Sequence, residues 1–202
     1  MTLINIKRKA GSLVFILFIL FVSGCANKPA SEQTDLALQQ ASETSQLEQK
    51  FKQGIELIEQ SRFDEAKIIL EQVHQAHPQI MGPILNLGFI SIKQQDFEAG
   101  KTYYAQALHL KPKHIGSLIS LAYIAREEGR FDEAENYYRQ VFKIEPNNLS
   151  ALKNLGILLD LYRGHLNDAL VLYEQYQLLQ KQPDEKIKDW IFDIKSRIEA
   201  ES

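Results

Sequence analysis

Residues 84–112 read ILNLGFISIKQQDFEAGKTYYAQALHLKP, and residues 118–146 read LISLAYIAREEGRFDEAENYYRQVFKIEP. The two stretches share small residues, tyrosines and a closing proline at positions that differ by 34. Five sets of residues keep this period along the chain: Gly54, Gly88, Ala122 and Gly156; Ala66, Gly100 and Ala134; Leu70, Tyr104 and Tyr138; Leu87, Leu121 and Leu155; Pro78, Pro112 and Pro146. A fixed period of this length is typical of a stacked array, in which each repeat is one unit of supersecondary structure.

Each repeat is predicted to be two helices joined by a tight turn. The turns are expected at residues 61–65, 95–98 and 129–133, where Gly129 suits the left-handed end of a helix. Asp64 and Asp132 are expected to cap the helices that follow. The small residues let the two helices of a pair approach to about 8–10 Å. The prolines end each second helix because they lack an N–H group and clash with the preceding turn.

These residue types and spacings resemble the tetratricopeptide repeat family. The resemblance implies an all-α fold, a right-handed superhelical solenoid of about four helix-turn-helix units at residues 47–80, 81–114, 115–148 and 149–183. A C-terminal capping helix is expected at residues 184–202. The fourth unit has one inserted residue, which we expect in the turn at residues 162–165. Function does not follow from the fold alone.

The N-terminus is predicted to be a cleaved lipoprotein signal peptide, residues 1–24. Residues 7–9 are basic, residues 13–22 are apolar, and Ser23-Gly24-Cys25 follows; this is the layout of a signal peptide. The ten apolar residues are about half of the ~20 that span a bilayer. The ending resembles the bacterial lipobox, whose cysteine is lipidated and becomes the mature N-terminus. The alternatives are an uncleaved signal anchor and an ordinary signal peptide.

Residues 25–46 are predicted to be a lipidated, flexible tether, because they are rich in Ser, Gln, Glu and Thr and have few large apolar groups. Two or three acyl chains on Cys25 would hold the chain stably on a membrane, whereas one chain binds only marginally. Ala26 stands where, in enterobacterial-type lipoproteins, an aspartate would favour retention in the inner membrane. The expected location is therefore the periplasmic face of the outer membrane, if the source is Gram-negative.

Composition argues against several classes of function. The chain has 23 basic and 26 acidic residues, so it lacks the basic excess of a nucleic-acid-binding domain. Glu71 and His74 have the spacing of a bundle metal motif, but a second such pair is missing. We expect no catalytic residue, no metal and no cofactor. The histidines are predicted to lie near helix C-termini, where imidazole suits the negative end of the dipole: His74, His77, His109 and His114.

The last helix has an apolar stripe at helical spacing: Ile187, Trp190, Ile191, Ile194 and Ile198. Such a helix is expected to close the open end of the solenoid, since terminal repeats need a polar outer face. The alternative is that Trp190 and Phe192 form a docking surface for a partner.

A binding groove follows from the family resemblance, in which the first helix of each pair lines the concave face. The lining residues would be Phe51, Ile55, Leu85, Asn86, Phe89, Ile119, Tyr123, Arg126, Lys153, Asn154 and Ile157. Many are large and apolar, and an exposed apolar strip with a polar rim usually marks an interaction site. The alternatives are that the tether or the terminal helix fills the strip, or that a homodimer buries it. The family's carboxylate clamp is not reproduced, because only Asn86 matches it.

The sequence therefore predicts a membrane-anchored scaffold or adaptor of the bacterial cell envelope, which binds a periplasmic protein through its concave face. The alternative is an assembly factor similar to a pilotin, or an accessory subunit of a pilus, secretion or energy-transducing envelope complex. An enzyme is not expected, because no group of residues has the pattern of a catalytic site.

Overall fold

The computed structural model describes residues 30–201, and it describes side chains from residue 42 onward. All regular structure in this part of the chain is helical. The helices are α1 (Ala30–Glu59), α2 (Phe63–Ala76), α3 (Met81–Lys93), α4 (Phe97–Leu110), α5 (Ile115–Glu127), α6 (Phe131–Ile144), α7 (Leu149–Ile157), a π-helical segment (Leu158–Arg163), α8 (Leu166–Leu179) and α9 (Glu185–Glu201).

Consecutive helices pack on one another in a continuous series. Helices α3, α5 and α7 are the first members of three pairs, with α4, α6 and α8 as their second members. Each second helix also contacts the first helix of the next pair, and α8 contacts α9. The predicted all-α solenoid of helix pairs with a closing helix is confirmed by this arrangement.

Each pair depends on a small residue in its first helix. A Cβ atom at Gly88 would lie 2.8 Å from Cζ of Tyr104, and a Cβ atom at Gly156 would lie 2.5 Å from Cε1 of Tyr173. Both distances are too short for a real contact, so the tyrosine ring occupies the space that a side chain would need. The rings are buried, and they form the centre of each pair.

The turns between paired helices share one backbone geometry. Ser61, Gln95, Gly129 and Gly164 all have positive φ, between 58° and 74°. The residue after each of them closes the helix end; for example, Arg130 N–H donates to the Ala125 carbonyl at 2.8 Å. This is the pattern of a helix that ends on a left-handed residue, and the prediction for Gly129 is confirmed.

The prediction that Asp64 and Asp132 are N-caps is wrong. Helices α2 and α6 begin earlier, with Arg62 and Arg130 at the N-cap, so both aspartates lie in the first turn. Each one bonds to the following repeat instead: Gln94 Nε2 donates to Asp64 at 2.7 Å, and Arg163 Nη1 donates to Asp132 at 2.5 Å. These contacts connect successive turns along one edge of the stack.

The inserted residue of the fourth repeat lies in a helix and not in the predicted turn. Leu121 and Leu155 are still 34 positions apart, whereas Tyr138 and Tyr173 are 35 apart. The π-helical segment between Leu155 and Tyr173 has wider turns and absorbs the extra residue. The turn itself keeps its left-handed glycine, Gly164, because the pairing of α8 with α7 requires the same chain reversal as in the other repeats.

Helix α9 caps the last repeat. Ile187 and Ile194 are fully buried, and the Trp190 ring lies 5.4 Å from the Tyr173 ring, centroid to centroid. Arg197 of α9 pairs with Asp160 of the π-helical segment at 2.7 Å. Asp160 is only 7% exposed, so the pair connects α9 to the segment that contains the insertion.

Residues 30–46 of the predicted tether are helical and not irregular. Helix α1 begins at Ala30, although residues up to 46 are expected to be flexible. This stretch has no Gly or Pro before Gly54 and is rich in the helix formers Ala, Gln and Glu, and the first repeat helix supplies a nucleus for extension. The predicted signal peptide and Cys25 lie outside the described residues. None of the helices in residues 30–201 has the length and apolar character that crossing a membrane requires.

His114 lies at a helix N-terminus, contrary to the prediction. Its ring Nδ1 accepts the backbone N–H of Ser117 at 3.1 Å and lies 2.8 Å from the Ser117 hydroxyl. His114 is therefore the N-cap of α5. His74 and His109 lie in the last turns of α2 and α4, as expected.

Substitution of Gly156 by leucine tests the packing register. The new side chain would collide with Tyr173, and such overpacking typically costs about 1–3 kcal/mol. Ser150→Leu is the matched control, because Ser150 is exposed on the same helix and surface changes usually stay within about 0.5 kcal/mol. Urea unfolding followed by circular dichroism measures both. Equal midpoints for the two variants would contradict the register.

The His114 cap predicts a pH dependence of stability. Burial, and then the charge of Lys111, lower the pKa of His114 below its ordinary value of 6.5. A lowered folded pKa means that the cap contributes fully above the unfolded pKa and is lost as the pH falls through the folded pKa. We expect the free energy of unfolding to fall more steeply below pH 6.5 in the wild type than in His114→Asn, which keeps a capping acceptor that does not titrate. Urea unfolding at several pH values measures this free energy. If it changed with pH by the same amount in the wild type and in the variant, the imidazole would not be a functional cap.

Candidate partner-binding face

Three successive first helices, α3, α5 and α7, contribute to one shallow hollow. Its volume is about 350 Å³, and its lining residues are Phe89, Ile92, Lys93, Ile119, Ser120, Tyr123 and Asn154. We call it the first-helix hollow. Four of the predicted groove residues line it together: Phe89, Ile119, Tyr123 and Asn154. The structure thus brings the centre of the predicted strip into one site.

Packing in the repeat core determines the direction of Phe89 and Tyr123, which both face this hollow. Gly88 points at the second helix of its pair, and Ala122 occupies the same position one repeat later. The next residue along an α-helix is turned by about 100°, so it points away from that contact. Phe89 and Tyr123 therefore occupy equivalent places on α3 and α5.

Phe89 is the most exposed of the predicted groove residues, with 37% of its surface accessible. Its ring packs on the Phe63 ring in a T-shaped arrangement, with 6.4 Å between the two centroids. The Lys93 ammonium lies 5.3 Å from the Phe89 centroid. Within the described residues, Lys93 has no carboxylate partner. An exposed aromatic ring beside a free cation is therefore one end of the hollow.

Tyr123 belongs to a second group of cation and aromatic rings. The Arg126 guanidinium lies 5.1 Å from the Tyr123 centroid and 5.8 Å from that of Tyr162. Arg126 also pairs with Glu127 at 2.8 Å, and Tyr162 packs on Phe131 at 5.2 Å between centroids. Arg126 is thus held in place and has its charge partner, unlike Lys93.

The polar lining is placed with the same 34-residue period. Asn86, Ser120 and Asn154 are equivalent in successive repeats. Asn86 donates to the Gly82 carbonyl of its own helix at 2.8 Å, and Ser120 bonds to the Tyr104 hydroxyl. The side chain of Asn154 has no hydrogen-bond partner in the described part of the chain. It is therefore free to bond to a ligand.

The buried Tyr138 hydroxyl lacks the kind of partner that Ser120 gives Tyr104. Tyr138 is the equivalent of Tyr104 one repeat later, just as Asn154 is the equivalent of Ser120. Burial is the largest cause that raises the pKa of Tyr138, to about 12, so the hydroxyl stays protonated. The side-chain hydrogen bond between Tyr104 of the second repeat and Ser120 of the third therefore has no counterpart between Tyr138 of the third repeat and Asn154 of the fourth.

The remaining predicted groove residues lie outside the hollow. Phe51 packs on Gly82 and lines a separate apolar hollow of about 120 Å³ with Leu47, Glu48, Val73, Ile80 and Pro83. Leu85 and Ile157 pack against the cores of the repeats, and Ile55 is half-buried. Lys153 lies 3.9 Å from Asp184 and 5.8 Å from the Tyr176 ring, which points it toward the loop before α9.

Sequence reasoning missed Ile92, Lys93 and Ser120 of the hollow, and Tyr162 beside Arg126. Ile92 and Lys93 come three and four positions after Phe89 on the same helix, and helical periodicity alone would have placed them beside it. Tyr162 had no such signal, because its direction depends on the wider turns of the π-helical segment.

The hollow has the chemistry of a binding surface. Its lining offers apolar contacts, two aromatic rings, one ammonium and one free amide. No carboxylate or imidazole is among these lining residues, so they supply no obvious general base. Within residues 30–201 no three His, Cys, Asp or Glu side chains are grouped so that they could hold a metal.

The comparisons with known proteins agree on the fold. The family profile described as tetratricopeptide repeat matches residues 91–155. No curated protein sequence matches the chain significantly.

Several solved structures are similar to this chain at low sequence identity. Pseudomonas aeruginosa pilF is 15% identical, with a TM-score of 0.67 over 76% of this chain and 69% of that chain. MamA, residues 41 to the end, from Desulfovibrio magneticus RS-1 is 14% identical, with a TM-score of 0.67 over 76% and 85% of the two chains. A thermophilic tetratricopeptide repeat protein from Thermus thermophilus is 15% identical, with a TM-score of 0.60 over 75% and 82%. At these identities the likeness concerns the fold.

The period of the sequence, the stack of helix pairs and the family match therefore lead to one conclusion. Residues 84–146 contain two full copies of the repeat pattern, the family match falls on the same region, and the similar structures extend the fold over about three quarters of the chain. Residues 91–155 belong to a run of tetratricopeptide repeats, and the helix pairs around them have the same fold.

Proposed function

We propose that the chain is a membrane-anchored scaffold or adaptor of the bacterial cell envelope, which binds a periplasmic protein through the face formed by its first helices. The tetratricopeptide fold is a scaffold for protein–protein interaction. The observation that carries the choice of face is the first-helix hollow, where Phe89, Ile119, Tyr123 and Asn154 from three successive repeats meet.

The hollow has the properties of an interaction site. Aromatic side chains at the centre of an interface often contribute most of the binding energy, and both Phe89 and Tyr123 lie at the centre of the array. Lys93 and Asn154 add a charge and an amide without partners in the described structure, which a bound protein would satisfy. An apolar surface with such a polar rim is typical of a binding face.

The anchor is supported by the N-terminal sequence pattern. Basic residues, a short apolar run and Ser23-Gly24-Cys25 resemble a lipoprotein signal. Acyl chains on Cys25 would keep the scaffold at the membrane surface and leave the repeats free to bind a soluble partner. With Ala26 after the cysteine, the proposed location in a Gram-negative source is the periplasmic face of the outer membrane.

The double variant Phe89→Ala with Tyr123→Ala tests the binding face. Loss of hot-spot aromatics typically costs about 2 kcal/mol or more, so partner recovery should fall by tens of fold. The measurement is a crosslinked pull-down from the native envelope, with captured proteins quantified by mass spectrometry. Circular dichroism and urea unfolding check that both chains are folded.

A matched control is the double variant Ile68→Ala with Val171→Ala. Ile68 on α2 and Val171 on α8 are exposed apolar residues, 58% and 62% accessible. This control should keep its partners. If the Phe89 and Tyr123 variant also keeps every partner, the proposed face is wrong.

Substitution of Cys25 by serine tests the anchor. Cys25 is the only cysteine, so the variant should incorporate no radiolabelled palmitate and should no longer fractionate as a mature lipoprotein. Ser23→Ala is a suitable control, because the lipobox accepts small residues before the cysteine. Labelling of the serine variant, or a mature N-terminus at another residue, would refute lipidation.

A further inference from the structure

We infer that α9 is the first helix of a fifth repeat, and that Phe192 on it extends the partner-binding face. The bound protein lies across α3, α5, α7 and α9, and its apolar side chains meet Phe89, Tyr123 and Phe192. A carboxylate of the partner meets Lys93, and a cation of the partner meets Asp189. This inference rests on the proposed function, because it names further contacts and the charges of the same partner.

The inward-facing positions of α9 continue the register of the earlier first helices. Ile187 comes 35 positions after Leu152, and Ile194 comes 35 after Leu159; all four side chains are buried. The step is 35 and not 34 because the π-helical segment contains one extra residue. The same four positions recur in each first helix: Ile84, Leu87, Gly88 and Ser91; Leu118, Leu121, Ala122 and Ala125; Leu152, Leu155, Gly156 and Leu159; Ile187, Trp190, Ile191 and Ile194.

Helix α9 also packs and begins as a first helix does. It contacts the preceding second helix, α8, as α7 contacts α6, and Trp190 lies against the Tyr173 ring. Its start is capped by a side chain: Asp184 accepts the Ile187 N–H at 3.3 Å, and Asn148 caps α7 in the same way at 2.9 Å. Register, packing and capping therefore agree on its place in the array.

One position of α9 departs from the repeat. Ile191 stands where the earlier first helices have a small residue. At Gly88 and Gly156 that space is filled by a tyrosine of the second helix, whereas no second helix follows α9 within residues 30–201. A larger side chain is therefore accommodated there. The departure leaves Phe192 unaffected, because the next residue along a helix is turned by about 100°.

Phe192 continues the row of Phe89, Tyr123 and Ile157. It comes 35 positions after Ile157 and one residue after an inward-facing position of its helix, as Phe89 does on α3. Phe192 is 76% exposed, more than any other Phe, Tyr or Trp whose side chain is described. An exposed aromatic ring at the end of an apolar row is the kind of group that a protein partner covers.

Two charges of opposite sign are left at the two ends of this face. Lys93 on α3 has no carboxylate partner within the described residues. Asp189 on α9 is exposed and has no partner among those residues; it is the equivalent of Asn154, which lines the first-helix hollow. Between these ends, Arg126 and Lys153 already have carboxylate partners. A complementary protein therefore carries an acidic group at the α3 end and a basic group at the α9 end.

Photocrosslinking of the full chain in the native envelope tests whether one partner reaches both ends. A benzophenone analogue of phenylalanine replaces Tyr123, Phe192 or, as a control, Val171, which is 62% exposed on α8. The reference is the protein whose recovery depends on Phe89 and Tyr123. Mass spectrometry should identify this same protein in the crosslinks from positions 123 and 192, and not in those from position 171.

Single substitutions measure how much the α9 end contributes. Since Phe192 lies at an end of the face, Phe192→Ala should lower recovery of the reference protein about fivefold, less than loss of the central pair. Val171→Ala is its matched control. Asp189→Asn should lower recovery about threefold, whereas Asp168→Asn should not, because Asp168 is an exposed carboxylate on α8. Urea unfolding checks that each variant is as stable as the wild type.

The outcomes separate this inference from the proposed function. If the reference protein is crosslinked from position 123 but not from 192, or if Phe192→Ala recovers it fully, the inference is overturned and the central face stands. A second copy of this chain, or lipid, crosslinked at position 192 in its place also overturns the inference. If no captured protein depends on Phe89 and Tyr123, the proposed function itself fails.

Discussion

The missing side chain at one position of the first helix is the constraint on which the rest of the structure depends. At Gly88 and Gly156, the ring of a tyrosine from the paired helix occupies the place of a Cβ atom. This contact sets how closely the two helices approach and how the first helix is rotated about its axis. Because a small residue recurs at this position every 34 residues, as Gly88, Ala122 and Gly156, the rotation is repeated and the pairs stack regularly.

The binding face is a consequence of that rotation. When Gly88 faces inward, Phe89 must face away from the pair, and the same holds for Ala122 and Tyr123. Residues that point away from the paired helix thus form a row across successive first helices. Tyr123 and Ile157 of this row still pack against the edge of the core, whereas Phe89 is exposed. In this chain the centre of the row is aromatic, with Lys93 beside it.

The C-terminal end shows how the solenoid tolerates an irregularity. The extra residue before Gly164 is absorbed by the π-helical segment, which places Asp160 where Arg197 of α9 can reach it at 2.7 Å. A buried carboxylate needs such a partner, because an unpaired buried charge is strongly destabilising. The same segment presents Tyr162 to Arg126, so the insertion affects both the cap and the edge of the binding face.

The sequence by itself determined the repeat, the pairing of helices and the position of the central rings Phe89 and Tyr123. These follow from spacing, since a side chain's direction on a helix depends on its residue number. The tertiary structure alone decided the rest. Asp64 and Asp132 bond to the next repeat, Lys153 points toward Asp184, and Lys93 is left without a carboxylate among the described residues. Such pairings depend on the distances between side chains of neighbouring repeats. The spacing of residues along the sequence does not give those distances.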